Sequence, residues 1–163
     1  MRLVARHIQA KIAGSRILTA GVLLGLVLAV LPAVPGAWGR EVSEAGNPWL
    51  WMTVGPVTVK AEAVHTPDKL FLGLSYRKEL AEGQGMLFFM AEPAVQTFCM
   101  RGMHFSLDFI WIADGRVAGI TRDVPPTYPG ELQSPGPVTH VLEVPGGFAR
   151  RYGVKAGDPA TWR

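Results

Sequence analysis

The sequence predicts an α+β domain, mainly antiparallel β with two short helices, set behind an N-terminal targeting segment. Three observations predict it. Val57–Val64 alternates with period two, as a half-buried strand does. Asp114-Gly115, between two apolar runs, is the strongest short hairpin signal in the chain. Helical signals are confined to two short stretches, after Thr66-Pro67 and after Gly146-Gly147. A chain of 163 residues has room for one such domain. With 48% hydrophobic and 18% charged residues it fills a core, which excludes a disordered or coiled-coil protein.

The chain carries 16 Lys and Arg against 13 Asp and Glu, yet Arg2, Arg6, Lys11 and Arg16 precede any acid. From Arg40 onward 12 cations face 13 acids, a formal charge of −1, so the body offers no basic face and no nucleic-acid partner is expected. The positive stretch leads into Ile17–Leu31, fifteen uncharged residues stopped by Pro32, the length of a signal-peptide core. Ala37 and Gly39 are small residues placed for cleavage before Arg40. An uncleaved anchor competes, because Ile17–Val34 counts eighteen residues, close to the roughly 20 that cross a bilayer. Residues 1–39 are therefore expected to be a signal peptide or an N-terminal membrane anchor. In either case the rest is exported to the periplasm, touching the inner membrane only through that segment if it stays uncleaved. Polar residues 40–48 read as a linker and 49–163 as the single domain.

Along the domain, Trp49 and Trp51 alternate with Leu50 and Met52, giving one doubly aromatic face expected in the core or at a dimer edge. After Val57–Val64, Thr66 is placed to cap a helix with Pro67 at its first position, and Leu70, Phe71 and Leu74 give it one face for the sheet. Met86–Phe89 is a short apolar run typical of a buried strand, with Pro93 ending the extended stretch. Val95–Met100, Leu107–Ala113, Arg116–Thr121 and Val138–Val144 are further strands. Residues 123–137 hold five prolines and two glycines, too many missing donors for a central strand, and read as an exposed loop. Phe148–Tyr152 forms the second short helix, stopped at Gly153.

Ordered blocks along this body carry a resemblance. Thr66-Pro67 with Gly73-Leu74 and Arg77, then Leu80 with Gly85-Met86-Leu87-Phe88, then Phe98, Met100, Arg101 and Leu107-Asp108 look like the bacterial and archaeal family called domain of unknown function 192. Val141–Pro145, Gly147-Phe148, Gly153 and Gly157-Asp158 resemble its closing motif, so the likeness covers roughly Val57–Asp158. The resemblance implies a compact, barrel-like, mainly antiparallel sheet with small helices, often behind a signal peptide, and no established activity. The chain departs from the family pattern at one place. Where that pattern reads Phe-Trp-Met-Lys-Asn-Thr and then Pro-Leu-Asp, this sequence has Phe98 through Met103, with Cys99, Gly102 and Met103 in place of Trp, Asn and Thr, and then Ser106-Leu107-Asp108. If that stretch lines a pocket in relatives, its polar lining has changed here.

No reaction is legible. There is no His-Glu-x-x-His, no phosphate-cradling Gly-x4-Gly-Lys, and Gly73-Leu-Ser75-Tyr-Arg77 lacks the second glycine of a nucleophile elbow. No cofactor is expected. A single cysteine excludes an internal disulfide and a multi-thiolate zinc site. Cys99, flanked by Phe98 and Met100, reads as buried and unreactive, with Arg101 two residues on as the one group able to activate it. Arg77, Arg101, Asp108 and Glu143 are the charged residues within the family-like blocks and the candidate ligand-binding set. Arg77 with Arg101 could clamp a carboxylate, Asp108 could equally fix the turn at 102–106, and structural ion pairs are the competing role for all four. Thioether, thiol and imidazole at Met103, Cys99 and His104 suit Cu(I) as a subsidiary metal site; otherwise no metal is expected. The reading that follows is a small exported binding or accessory module for an unidentified small molecule or protein, more non-enzymatic than enzymatic. The alternatives are an unrecognised enzyme acting on a small anionic or hydroxylated substrate, or a Cu(I)-binding protein.

Overall fold

The structure, a computed structural model, describes residues 41–163. The expected signal segment, 1–39, lies outside the described residues. The described chain is mostly β: β1 (Trp49–Val54), β2 (Val57–Val64), α1 (Pro67–Leu72), β3 (Gln84–Cys99), β4 (Leu107–Ala113), β5 (Arg116–Val124), β6 (Glu131–Pro145), α2 (Phe148–Tyr152) and β7 (Ala160–Trp162). Seven strands form one half-barrel sheet in the order β5-β4-β6-β3-β2-β1-β7. A bridge between Arg116 and Pro159 draws its two edges together.

All pairings are antiparallel except β2 with β3, so the sheet is mixed. The reason lies in the connection. Residues 65–83 carry the chain through α1 back to the end of the sheet where β2 began, and a crossover of that length joins parallel neighbours whereas a tight turn cannot. The tight turns do the opposite. At Asp114-Gly115 both φ angles are positive, 49° and 68°, and Ala113 pairs with Arg116, the two-residue loop whose twist matches a hairpin. Gly55-Pro56 likewise closes β1 on β2, with Val54 opposite Val57.

Apolar side chains pack on both faces of the sheet. Along β4, Phe109 and Trp111 enter one cluster with Phe88, Leu74 and Val141, while Ile110 and Ile112 enter the other with Leu87, Leu142 and Phe148. This double coverage is why β4 reads as a continuous apolar run. α1 is the exception to dense packing. No residue of it is buried, Phe71 is 73% exposed, and Thr66 makes no side-chain cap, its hydroxyl bonding Asp68 instead. The expected sheet-facing helix is therefore a loose cover, anchored by half-buried Leu70 and by Leu74 beyond its end.

Several expectations are corrected. β3 does not stop at Pro93; it runs through a register shift between Phe89 and Ala94 to Cys99. Its partner β6 occupies 131–145 and β5 runs to Val124, so only residues 125–130 of the proline-rich stretch lie outside strands. Pro135 and Pro137 are tolerated because the ladder is already interrupted there: the Gln96 amide donates to Ser134 Oγ at 2.9 Å, and that hydroxyl donates to the Gly136 carbonyl at 2.6 Å. The doubly aromatic face of β1 turns away from the core: Trp51 is exposed and Trp49 lies under the Lys60 ammonium, 4.9 Å from its ring centre. The described part of the expected linker 40–48, residues 41–48, is tied to the sheet: the Trp49 amide donates to the Glu41 carbonyl, the Ala63 amide to the Pro48 carbonyl, and the Ser43 and Asn47 side chains donate to Glu62. Among the described residues no helix is long and apolar enough to cross a membrane.

Gly85 tests the packing. A Cβ there would sit 2.8 Å from the Glu143 carbonyl oxygen and 3.2 Å from side-chain carbons of Leu142 and Val144. Backbone cannot yield as a flexible side-chain tip does, so Gly85→Ala is expected to lose about 1–3 kcal/mol in urea unfolding. An unchanged midpoint would show that β3 and β6 are not held this closely.

Candidate functional site

Because α1 buries nothing, space is left between it and the sheet. A cavity of about 510 Å³ lies there, bounded by α1 and Gly73–Ser75 on one side and by Phe88, Phe98 and Met103 on the other, with Glu143 at its floor. Two loop contacts shape its mouth. The Tyr76 amide donates to the Gly102 carbonyl at 2.8 Å, and Ser75 Oγ donates to the Arg101 carbonyl at 2.9 Å. Tyr76 holds φ at 65°, an uncommon conformation for a bulky residue, and its ring lies so close to Gly102 (φ 71°) that a Cβ there would be 2.8 Å away.

Register places four side chains in one row across the sheet: Glu62 of β2 opposite Met86 of β3, Met86 opposite Glu143 of β6, and Glu143 opposite Phe109 of β4. The two carboxylates thus stand two strands apart, roughly 10 Å. They have opposite fates. Glu62 is 2% exposed and accepts two hydrogen bonds from Arg77, one from Asn47 Nδ2 at 2.8 Å and one from Ser43 Oγ at 2.8 Å. Burial alone would raise its pKa, but these bonds, led by that of Arg77, hold it below the usual carboxylate range. Arg77 in turn is raised above its ordinary value, first by that hydrogen bond.

Glu143 is 5% exposed and has no hydrogen-bond partner among the described residues. Burial pushes its carboxyl up to about 8, against a smaller pull downward from Arg77. It is a neutral acid at pH 7, opening on the cavity.

The four expected ligand-binding residues are only partly brought together. Glu143 and Arg101 line the cavity, the latter at its exposed rim with its guanidinium 4.4 Å from the Phe71 ring centre. Arg77 is committed to Glu62, which removes it from the proposed two-arginine clamp. Asp108 is on the other face of the sheet. It pairs with Val144, is fully buried, and accepts the backbone N–H groups of Asp123, Gly147 and Ala149 at 2.7, 3.0 and 2.8 Å. Two of those donors open α2, so Asp108 anchors a helix start from a neighbouring strand.

Cys99 corrects another expectation: it is exposed. Beyond the bulge only one side of β3 packs inward, so Phe98 takes the core side against Phe109 and Trp111 and the thiol faces outward into the cavity mouth. Of the subsidiary metal set, Cys99 and Met103 line the cavity while His104 is exposed and outside its lining. Among the described residues no three His, Cys, Asp or Glu side chains come together as metal ligands.

Glu62 is the site residue the sequence reading missed. Period two assigned it, with Thr58 and Lys60, to the polar face of β2; Arg77, arriving from the crossover, makes its burial tolerable.

The DUF192 family model, described as an uncharacterized ACR, matches residues 50–162. A crystal structure of a protein of unknown function from Novosphingobium aromaticivorans is 32% identical over 77% of this chain and 94% of its own, with a TM-score of 0.73. A second, from Sinorhizobium meliloti and described as a candidate transcription regulator, is 28% identical over 75% of this chain and 97% of its own, at a TM-score of 0.69. No curated protein matches the chain.

Two outcomes are expected at this site. Glu143 binds its proton more tightly folded than unfolded, so its contribution to stability is present at acid pH and is lost as pH rises from about 4.5 through about 8. Relative to Glu143→Gln, wild type should lose stability over that window by up to about 1.4 kcal/mol per pH unit, read as a diverging Tm. Parallel curves would place the carboxyl in water. Cys99 should react with a thiol reagent nearly as fast in the native as in the unfolded protein; strong native protection would put it back in the core.

Proposed function

From the premise that this chain belongs to the DUF192 family, whose description assigns no activity, we propose that it is a small exported module that binds a small molecule in the cavity under α1. One observation carries the reading. A carboxyl without a hydrogen-bond partner among the described residues stands at the floor of an open cavity, somewhat more apolar than polar, whose volume falls within the usual range for small-molecule sites. The carboxyl oxygens reach the cavity surface and have no protein partner among the described residues, so a ligand entering there meets a polar group free to bond it.

Sequence supports the same place. Cys99 and Met103 stand where the family pattern has Trp and Thr, so this chain carries a smaller group at one wall and a flexible apolar one at another. Gly102, in place of Asn, keeps a positive φ that both residues accept, so the loop shape survives the change. An enzyme is the second reading, favoured by a thiol and a protonated acid lining one cavity. Cu(I) has less support, since His104 stands outside the lining.

Export rests on the charge step and uncharged run of residues 1–39. The mature protein recovered from the periplasm should begin near Arg40, and recovery only in the cytosol at full length would sink this part. For binding, protein purified from its native host and denatured in a mass-spectrometric extract should release a small molecule that Met103→Trp, which fills the cavity, fails to carry. Identical extracts from the two proteins would remove the binding reading.

A further inference from the structure

We propose that the cavity selects an uncharged ligand that presents a carbonyl oxygen on a compact apolar or aromatic body, the Glu143 carboxyl donating the hydrogen bond that holds it. This deepens the binding reading above and rests on it.

The argument starts with what the floor can offer. Glu143 is 5% exposed, lacks a hydrogen-bond partner among the described residues, and opens on the cavity. The groups that face or neighbour it settle its charge. Across the sheet Met86 and Phe109 flank it with apolar surface. Arg77 is the nearby cation, and both of its terminal nitrogens are engaged by Glu62, so the pair contributes no net charge. Glu62 is further saturated by Asn47 and Ser43. At the mouth Arg101 and Glu131 carry opposite signs, and Cys99 is the remaining titratable group of the lining.

In this setting a carboxylate has no partner and the acid form is favoured, in line with the raised pKa. A protonated carboxyl is a hydrogen-bond donor, here held in place by the sheet, and the complement of a donor is an acceptor oxygen. A ligand ammonium would require Glu143 to give up its proton and both ions to be desolvated, beside Arg77 and past Arg101. A ligand carboxylate would find Arg77 already taken by Glu62, and would meet only Arg101, exposed at the rim over the Phe71 ring and away from the floor. Phe88, Phe98, Leu74 and Met103 supply the wall for an apolar body.

Four isosteric probes separate the cases on the full chain, with affinities read by ligand-observed NMR: acetophenone, benzylammonium, benzoate and ethylbenzene. Acetophenone should bind best at pH 6.5. Its affinity should fall about 30-fold by pH 9.5, because only the protonated fraction is competent. The same loss should appear in Cys99→Ser, which lacks the thiol of the lining. Glu143→Gln, uncharged and still a donor, should bind acetophenone with no pH dependence, and Glu143→Leu should bind it no better than ethylbenzene. The Gln variant keeps the test intact if the Leu variant does not fold. Benzylammonium or benzoate preferred, no preference for acetophenone over ethylbenzene, or binding that strengthens toward pH 9.5 would overturn this inference while leaving the binding reading standing. Failure of every probe to enter the cavity would overturn both.

Discussion

A single guanidinium serves a region that buries two carboxylates, and the site follows from which of them it serves. Arg77 sits just past α1, on the crossover that makes β2 and β3 parallel, and reaches back to Glu62 with two parallel hydrogen bonds. Bidentate pairing fixes both distance and plane, so it pins the crossover to the sheet at one point. Ser43 and Asn47 complete the same carboxylate and tie residues 41–48 to the sheet. Removing either member of such a pair leaves an uncompensated charge inside, typically a loss of about 3–5 kcal/mol. With Arg77 spent on Glu62, Glu143 in the same cross-strand row keeps its proton.

The helix tolerates looseness because the pair, and not the helix, holds the crossover. α1 contributes no buried side chain, and its apolar residues Phe71 and Leu72 are exposed beside a cavity that better packing would have filled. Elsewhere the molecule is dense. Asp108 illustrates the contrast: it is fully buried, more so than Glu143, and three backbone N–H groups satisfy it, so it reads as structure. Two acids on adjacent strands, one saturated by backbone donors and one opening on the cavity, divide the sheet into a structural face and a face with open space.

The β3–β6 ribbon supplies the far wall. It is 16 residues long on one side and 15 on the other, and its bulges bend it so that Phe98 returns over Phe109 and Trp111. Past the bend only one side of β3 is covered, which is why Phe98 is inward and Cys99 outward. Cys99 therefore lies at the cavity mouth, outside the core.

What the sequence by itself determined was whatever depends on neighbours a few residues apart. The Asp114-Gly115 hairpin, the apolar β4 run, the period of β2 and the short helix between Gly147 and Gly153 are all local choices of φ, ψ and side-chain period, and the ordered motif blocks identified the family. The tertiary structure alone decided the rest. Whether Pro135 and Pro137 could stand in a strand depended on Ser134 meeting Gln96, 38 residues away. Whether Glu62 could be buried depended on Arg77, and Asp108 on the other face of the sheet met the start of α2. Burial of a polar group is set by the partner that meets it there, and partners distant along the chain leave no trace in local periodicity.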